Sequence, residues 1–169
     1  MSEFAFYLVP ADPYCLPDEE GRKRFLDLFK TVSPLPNGNG DYYFTVYADP
    51  QPVHAGAGFE AVVCPGCDTR NRLFDDDGYT PFNDWWEAAL SGPRDATVTL
   101  PCCGAASRLA DLRFDSLGAF ARFKVGALEP SFSDHWQDGG DNFGALTEET
   151  LKRFEAIAGC PVLQIWEVA

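Results

Sequence analysis

A strand, helix, strand order at the start of the chain, the same order at its end, and a cysteine-bearing stretch between them predict an α+β fold. The 169 residues are 46% hydrophobic and 14% aromatic, enough to fill one packed interior, so a single domain over residues 1–169 is expected.

The opening Phe4-Ala5-Phe6-Tyr7-Leu8-Val9 is aromatic and branched and stops at Pro10, which reads as a strand. From Asp18 to Val32, Phe25, Leu28, Phe29 and Val32 recur at helical spacing behind the acidic start Asp18-Glu19-Glu20, which favours the positive end of a helix dipole. Pro34 and Pro36 end that helix, Asn37-Gly38-Asn39-Gly40 turns the chain, and Tyr42 to Tyr47 reads as a second strand. Near the other end, Ala121, Phe123, Val125 and Ala127 alternate with Arg122 and Lys124, which predicts a half-buried strand from Phe120 to Leu128. Thr147 with Glu148 and Glu149 starts a helix whose stripe is Leu151, Phe154, Ile157 and Ala158, Gly159 and Pro161 stop it, and Val162 to Val168 closes as a strand. With the middle removed, this is the order of a ferredoxin-like split βαβ sandwich, with both helices expected on one sheet face.

The middle, Gly58 to Leu117, is then an insertion. Phe59 to Val63 leads as a strand into Cys64 and Arg70 to Phe74 leads away; Ala96 to Leu100 leads into Cys102 and Ser107 to Phe114 leads away. Between the hairpins, Thr80 and Pro81 open a short helix with Trp85, Trp86, Ala89 and Leu90, ended by Gly92-Pro93. Two hairpins with cysteines at their tips outline a zinc-ribbon-like β subdomain carrying a short helix.

The spacing of Cys64-Pro65-Gly66-Cys67 lets two thiolates of a tight knuckle converge on one tetrahedral ion, and Cys102 and Cys103 complete a four-sulfur shell around a structural Zn2+. The 34 residues between Cys67 and Cys102 exceed the usual ribbon spacing, and the added helix accounts for the excess. Adjacent strand residues point to opposite faces, so Cys102 and Cys103 share an ion only if the backbone turns sharply between Pro101 and Gly104. If it does not, His54 or Asp68 is the substitute ligand. Cys15 and Cys160 stand alone and read as small buried hydrophobes, because six cysteines without a secretory signal argue against a disulfide framework.

The combination of Phe59-Glu60-Ala61-Val62-Val63-Cys64-Pro65-Gly66-Cys67, Trp85-Trp86, Val98-Thr99-Leu100-Pro101-Cys102-Cys103-Gly104 and Phe120-Ala121-Arg122-Phe123 resembles a family of small bacterial cytoplasmic proteins with no assigned activity. The likeness extends to Tyr7-Leu8-Val9-Pro10 and the closing helix and strand. It implies the four cysteines as ligands and carries over no catalytic residue. The family pattern has glycine after the second cysteine, where this chain has Asp68.

The formal charge of −13 is spread along the chain: residues 1–57 hold 8 acids against 4 bases, 58–117 hold 10 against 5, and 118–169 hold 8 against 4. A field of this sign repels phosphate backbones, so nucleic acid is not expected as a partner, and a protein with a basic surface is. No apolar run is long enough for a membrane span, and Met1-Ser2-Glu3-Phe4 lacks the basic start of a secretory signal, so a cytoplasmic setting is expected.

Two further motifs are incomplete. Gly56-Ala57-Gly58 precedes a strand where a dinucleotide fingerprint needs a helix, and Asp75-Asp76-Asp77-Gly78 lacks the remaining positions of a calcium loop. The expected function is a non-catalytic, zinc-stabilised, protein-binding module, an acidic inhibitor or immunity-like protein. One alternative is a small enzyme with a pocket around His135, Asp134 and the tryptophans, and another is a nucleic-acid-binding zinc ribbon.

Overall fold

The computed structural model describes residues 4–38, 40–116, 118–137 and 144–168. Met1, Ser2, Glu3, Asn39, Leu117 and Ala169, which enter the expected start, turn and boundaries, lie outside the described residues. Strand β1 (Phe4–Pro10) alternates Phe6 and Leu8 toward one face with Ala5, Tyr7 and Val9 toward the other. Helix α1 (Glu19–Val32) starts where Asp18 accepts the Gly21 N–H at 2.7 Å, and it buries Phe25, Phe29 and Val32. Strand β2 (Tyr42–His54) runs well past the expected end at Tyr47. Pro50 and Pro52 do not stop it because it lies at the edge of its sheet, where a missing N–H goes unmissed.

In the middle, β3 (Ala61–Val63) pairs with β4 (Arg70–Arg72), followed by the hairpin β5 (Phe74–Asp75) and β6 (Gly78–Tyr79). Helix α2 (Pro81–Leu90) buries Trp86 and leaves Trp85 partly exposed against Phe82, as consecutive helical residues require. Thr80 stands at its N-cap position, but its hydroxyl donates to the Arg72 carbonyl at 2.5 Å instead of capping the helix. Strands β7 (Thr97–Thr99) and β8 (Ala106–Arg108) form the second hairpin. The expected run from Ser107 to Phe114 then breaks at a 3-10 turn over Leu109–Asp111, so that β9 (Arg113–Phe114) crosses to pair with β3. That crossing joins the two hairpins into one body around Trp86, Leu100 and Leu109.

The chain returns through β10 (Gly118–Leu128), a short pair β11 (Trp136–Gln137) and β12 (Ala145–Leu146), helix α3 (Glu148–Ala158) and β13 (Val162–Val168). Thr147 accepts from the Thr150 N–H at 3.3 Å at the start of α3, and Gly159 ends it at φ 75°, the left-handed conformation glycine adopts without strain.

The result is a mixed α/β fold with three α-helices and several antiparallel sheets among the described residues. The largest sheet has the strand order β13-β1-β10-β2, all neighbours antiparallel. Both α1 and α3 pack on one face of it, around Phe6, Phe25, Phe29, Phe123 and Phe154, each fully buried and contributing about 1.5–3 kcal/mol. Opposite Arg122 the β2–β10 register slips, with Ala121 paired to Gln51 and Phe123 to Val46, so residues 47–50 form a bulge. Phe120 of β10 belongs to the core of the middle region, where it meets Trp86 and Phe114 at centroid distances of 5.9 and 5.5 Å. The insertion is thereby rooted in the main sheet.

Cys15 and Cys160 correct the expectation. They are bonded to each other, 145 residues apart in sequence, and both are partly exposed. The cause lies in the β1–β13 register: Pro10 pairs with Val162 and the Ala11 N–H donates to the Pro161 carbonyl at 2.8 Å, which brings the two following loops together at one end of the sheet.

Candidate metal centre

The first knuckle follows β3. The Cys64 N–H donates to the Thr69 carbonyl and the Asp68 N–H to the Cys64 carbonyl, each at 2.9 Å, with Asp68 at φ 57°. Aspartate tolerates that left-handed conformation, and here its carboxylate is also held by Arg113 at 2.5 Å. Asp68 thus takes a backbone conformation that glycine adopts without strain, and its side chain turns to Arg113.

The second knuckle, after β7, is the same turn. The Leu100 N–H donates to the Ala105 carbonyl and the Gly104 N–H to the Leu100 carbonyl, both at 2.9 Å, with Gly104 at φ 74°. Matched position by position, Pro65 corresponds to Pro101 and Cys67 to Cys103. Leu100 therefore occupies the place of Cys64, and Cys102 the place of Gly66.

This correspondence explains how two adjacent cysteines reach one centre. A β-carbon placed on Gly66 would lie 3.6 Å from Cys103 Sγ and 3.7 Å from Cys64 Sγ, so this turn position faces the sulfurs. Cys102 carries a side chain at the equivalent position of the partner turn. The fully buried Leu100 fills the core where a fourth conventional cysteine would stand. The signal was in the sequence, in the match of Cys64-Pro65-Gly66-Cys67-Asp68 with Leu100-Pro101-Cys102-Cys103-Gly104.

The four Sγ atoms of Cys64, Cys67, Cys102 and Cys103 all lie within 4.8 Å of one another, and together they can hold a metal ion. Cys64 and Cys103 are 3.6 Å apart and Cys67 and Cys102 3.7 Å. A tetrahedron with metal–sulfur distances of about 2.3 Å has edges of about 3.8 Å, so these separations fit that shell. Cys64 is buried and the other three are exposed.

Every sulfur also has a hydrogen-bonding neighbour. The Gly66 N–H donates to Cys64 Sγ at 3.3 Å and Asn71 Nδ2 to Cys102 Sγ at 3.7 Å. The Thr69 hydroxyl lies 3.1 Å from Cys67 Sγ, and that hydroxyl with the Thr69 amide lowers the Cys67 thiol to about 6. The Ala105 amide pulls Cys103 down, but Cys64 and Cys67 outweigh it and push that thiol up to about 12. Burial, then Cys64 and Cys67, raise Cys102. One thiolate is easily held here and a second is resisted by the first, which is the electrostatic situation a cation relieves.

No family model, curated protein or solved structure matches this chain.

The other candidate residues are placed elsewhere. His54 stacks on Phe59 at 4.6 Å and its Nδ1 accepts the Gly56 N–H at 3.2 Å; burial lowers its pKa. It is outside the sulfur cluster, as is the Asp68 carboxylate, so neither substitutes for a cysteine. His135 Nδ1 lies 3.3 Å from Thr150 Oγ1 and its carbonyl accepts the Thr147 N–H at 2.8 Å, which ties it into the start of α3. Asp134 is exposed beside it, and Trp136 donates to the Val32 carbonyl at 2.7 Å as part of the main core. Trp85 and Trp86 belong to the other core, so the tryptophans do not converge on His135. Asp75, Asp76 and Asp77 form a hairpin turn in which Asp75 accepts the Asp77 N–H at 3.0 Å.

Proposed function

We propose that this chain is a non-catalytic protein-binding module whose middle region is held together by a structural zinc ion, and whose acidic surface engages a protein of basic surface in the manner of an inhibitor or immunity protein. The observation that carries the reading is the closure of four sulfurs from two distant hairpins within 4.8 Å. A four-thiolate tetrahedral shell has no position left for a substrate or a reactive water, so such an ion scaffolds and does not hydrolyse. The strand order β13-β1-β10-β2 with both flanking helices on one face supports reading the frame as a ferredoxin-like split βαβ sandwich, and the paired knuckles support reading the insertion as zinc-ribbon-like.

The charge of −13 supports the choice of partner, because a field of this sign raises the encounter rate with a basic surface and suppresses acidic ones. No described helix is long and apolar enough to cross a membrane. A cytoplasmic setting agrees with four free thiols kept available for metal, whereas the Cys15–Cys160 bond pulls the other way. Thiol alkylation of freshly lysed cells decides this point: free Cys15 and Cys160 support the cytoplasm, and a bonded pair refutes it.

Elemental analysis of the purified protein tests the zinc reading. About one equivalent of zinc in the native chain and its loss in Cys64→Ser are expected. Native protein free of metal, or zinc retained in the variant, refutes it. A partner recovered by affinity capture should be basic and released by salt; an acidic or salt-indifferent partner refutes the second half of the proposal.

A further inference from the structure

We infer that, with zinc bound as proposed above, Cys67 and Cys102 form a peroxide-oxidisable pair whose disulfide replaces the ion as the link between the two knuckles and releases it. The pair follows from the place of the fourth ligand. In the first knuckle the opening position holds the buried Cys64. In the second it holds the fully buried Leu100, and the ligand stands two residues later, at the exposed Cys102. A sulfur that the matching turn keeps inside the core is thus carried to the solvent side of the cluster, 3.7 Å from the sulfur of the exposed Cys67.

The four sulfurs divide accordingly. Cys103 Sγ lies 3.6 Å from Cys64 Sγ and would lie 3.6 Å from a β-carbon on Gly66, so it leans over the first knuckle toward the buried sulfur. Cys64, at 0% exposure, is closed to a dissolved oxidant. Adjacent Cα atoms stand about 3.8 Å apart across a trans peptide, below the roughly 4.4–6.8 Å that a disulfide spans, so Cys102 and Cys103 do not bond to each other. Cys67 and Cys102 combine access with proximity. Both are exposed, and their sulfurs need to close by about 1.7 Å to reach the bond length of about 2.05 Å. Their neighbours leave room for that movement: the Thr69 hydroxyl, 3.1 Å from Cys67 Sγ, and the Asn71 amide, 3.7 Å from Cys102 Sγ, are side-chain contacts at the surface.

Hydrogen peroxide is the oxidant. Metal-bound sulfur is already thiolate. One sulfur of the pair attacks a peroxide oxygen, the O–O bond breaks, hydroxide leaves and a sulfenic acid forms. The other sulfur attacks the sulfenyl sulfur, the S–O bond breaks, a second hydroxide leaves and the S–S bond closes. Two solvent protons turn the hydroxides into water, so the sulfurs lose two electrons and the peroxide gains them. Cys64 and Cys103 remain as two ligands where a structural site uses four, and the zinc departs. The new bond joins residues 35 apart and ties the same two turns, so the hairpins stay closed around Trp86, Leu100 and Leu109. A thiol reductant reverses the step by exchange.

Peroxide titration of the full, zinc-loaded chain tests the inference, with released zinc read by a chromophoric chelator and disulfides located by alkylation and peptide mass mapping. About one equivalent of zinc should leave as two thiols are lost, with a new Cys67–Cys102 link and an unchanged circular dichroism spectrum. Dithiothreitol should restore zinc binding. Sulfinic acids without a link overturn the inference, as does a link at Cys64–Cys67, Cys64–Cys103 or Cys67–Cys103. A collapsed circular dichroism spectrum overturns the replacement of the ion by the bond. A chain purified without zinc refutes the zinc reading separately. The same mapping on that reduced, metal-free chain then decides the pair, a Cys67–Cys102 link supporting it and its absence overturning it.

Discussion

Gly66→Ala concentrates the reasoning about the metal centre into one methyl group. A β-carbon at Gly66 would lie 2.5 Å from the Ala105 β-carbon, while apolar carbons rest about 3.5–4.0 Å apart. The knuckles must therefore separate by about 1 Å or more. Cys64 and Cys67 move with one side and Cys102 and Cys103 with the other, so the displacement falls on the cross-knuckle sulfur separations, now 3.6 and 3.7 Å. Overpacking of this kind costs about 1–3 kcal/mol, which is roughly a 5- to 150-fold loss of metal affinity. Competition against a chromophoric chelator, or the thiolate charge-transfer band of the cobalt-loaded protein, reads the loss. Ala105→Gly removes the opposing methyl, so the double substitution should return affinity to near the native value. Native affinity in Gly66→Ala, or no recovery in the double variant, would show that the two turns do not press on each other as described.

Leu100→Ala should destabilise the protein to urea by about 2–5 kcal/mol while leaving metal stoichiometry unchanged, because Leu100 fills the core from the position of a ligand without being one. Removing the Cys15–Cys160 bond by paired serine substitution should lower unfolding stability by up to about 5 kcal/mol on the chain-entropy account of a loop this long, again without metal loss; an unchanged urea midpoint would count against the bond. Burial holds His54 below its ordinary pKa, so the folded state binds fewer protons than the unfolded one as pH drops through 6.5. Its contribution is therefore present above that pH and lost below it, and His54→Gln should flatten the fall in the urea midpoint between neutral and mildly acid solution.

Local chemistry was legible in the sequence wherever a signal and its cause lie within a few residues. Thr147 acts as the cap it resembles, the acidic Asp18-Glu19-Glu20 marks the start of its helix, Gly159 ends the other helix, and Val162 to Val168 forms one strand, because dihedral preference and side-chain periodicity are short-range. The four cysteines were legible for the same reason, each pair belonging to its own tight turn. Sheet order and ligand geometry lie at another level. The strand Tyr42–His54 outran its expected end because prolines are tolerated at an edge, and nothing local marks β2 as an edge. The break before Phe114 likewise follows from β9 finding β3, a partner about 50 residues earlier in the chain.

The amino-acid sequence by itself determined the helices, most strands and the residues able to bind metal, since these follow from interactions between near neighbours. Only the tertiary structure decided that Cys102 and Cys103 come together with Cys64 and Cys67 at one centre, that Cys15 meets Cys160, and that β2 lies at the edge of its sheet. Each of these depends on which distant backbones lie side by side, and that is set by the joint burial of two cores, which no short stretch of the chain encodes.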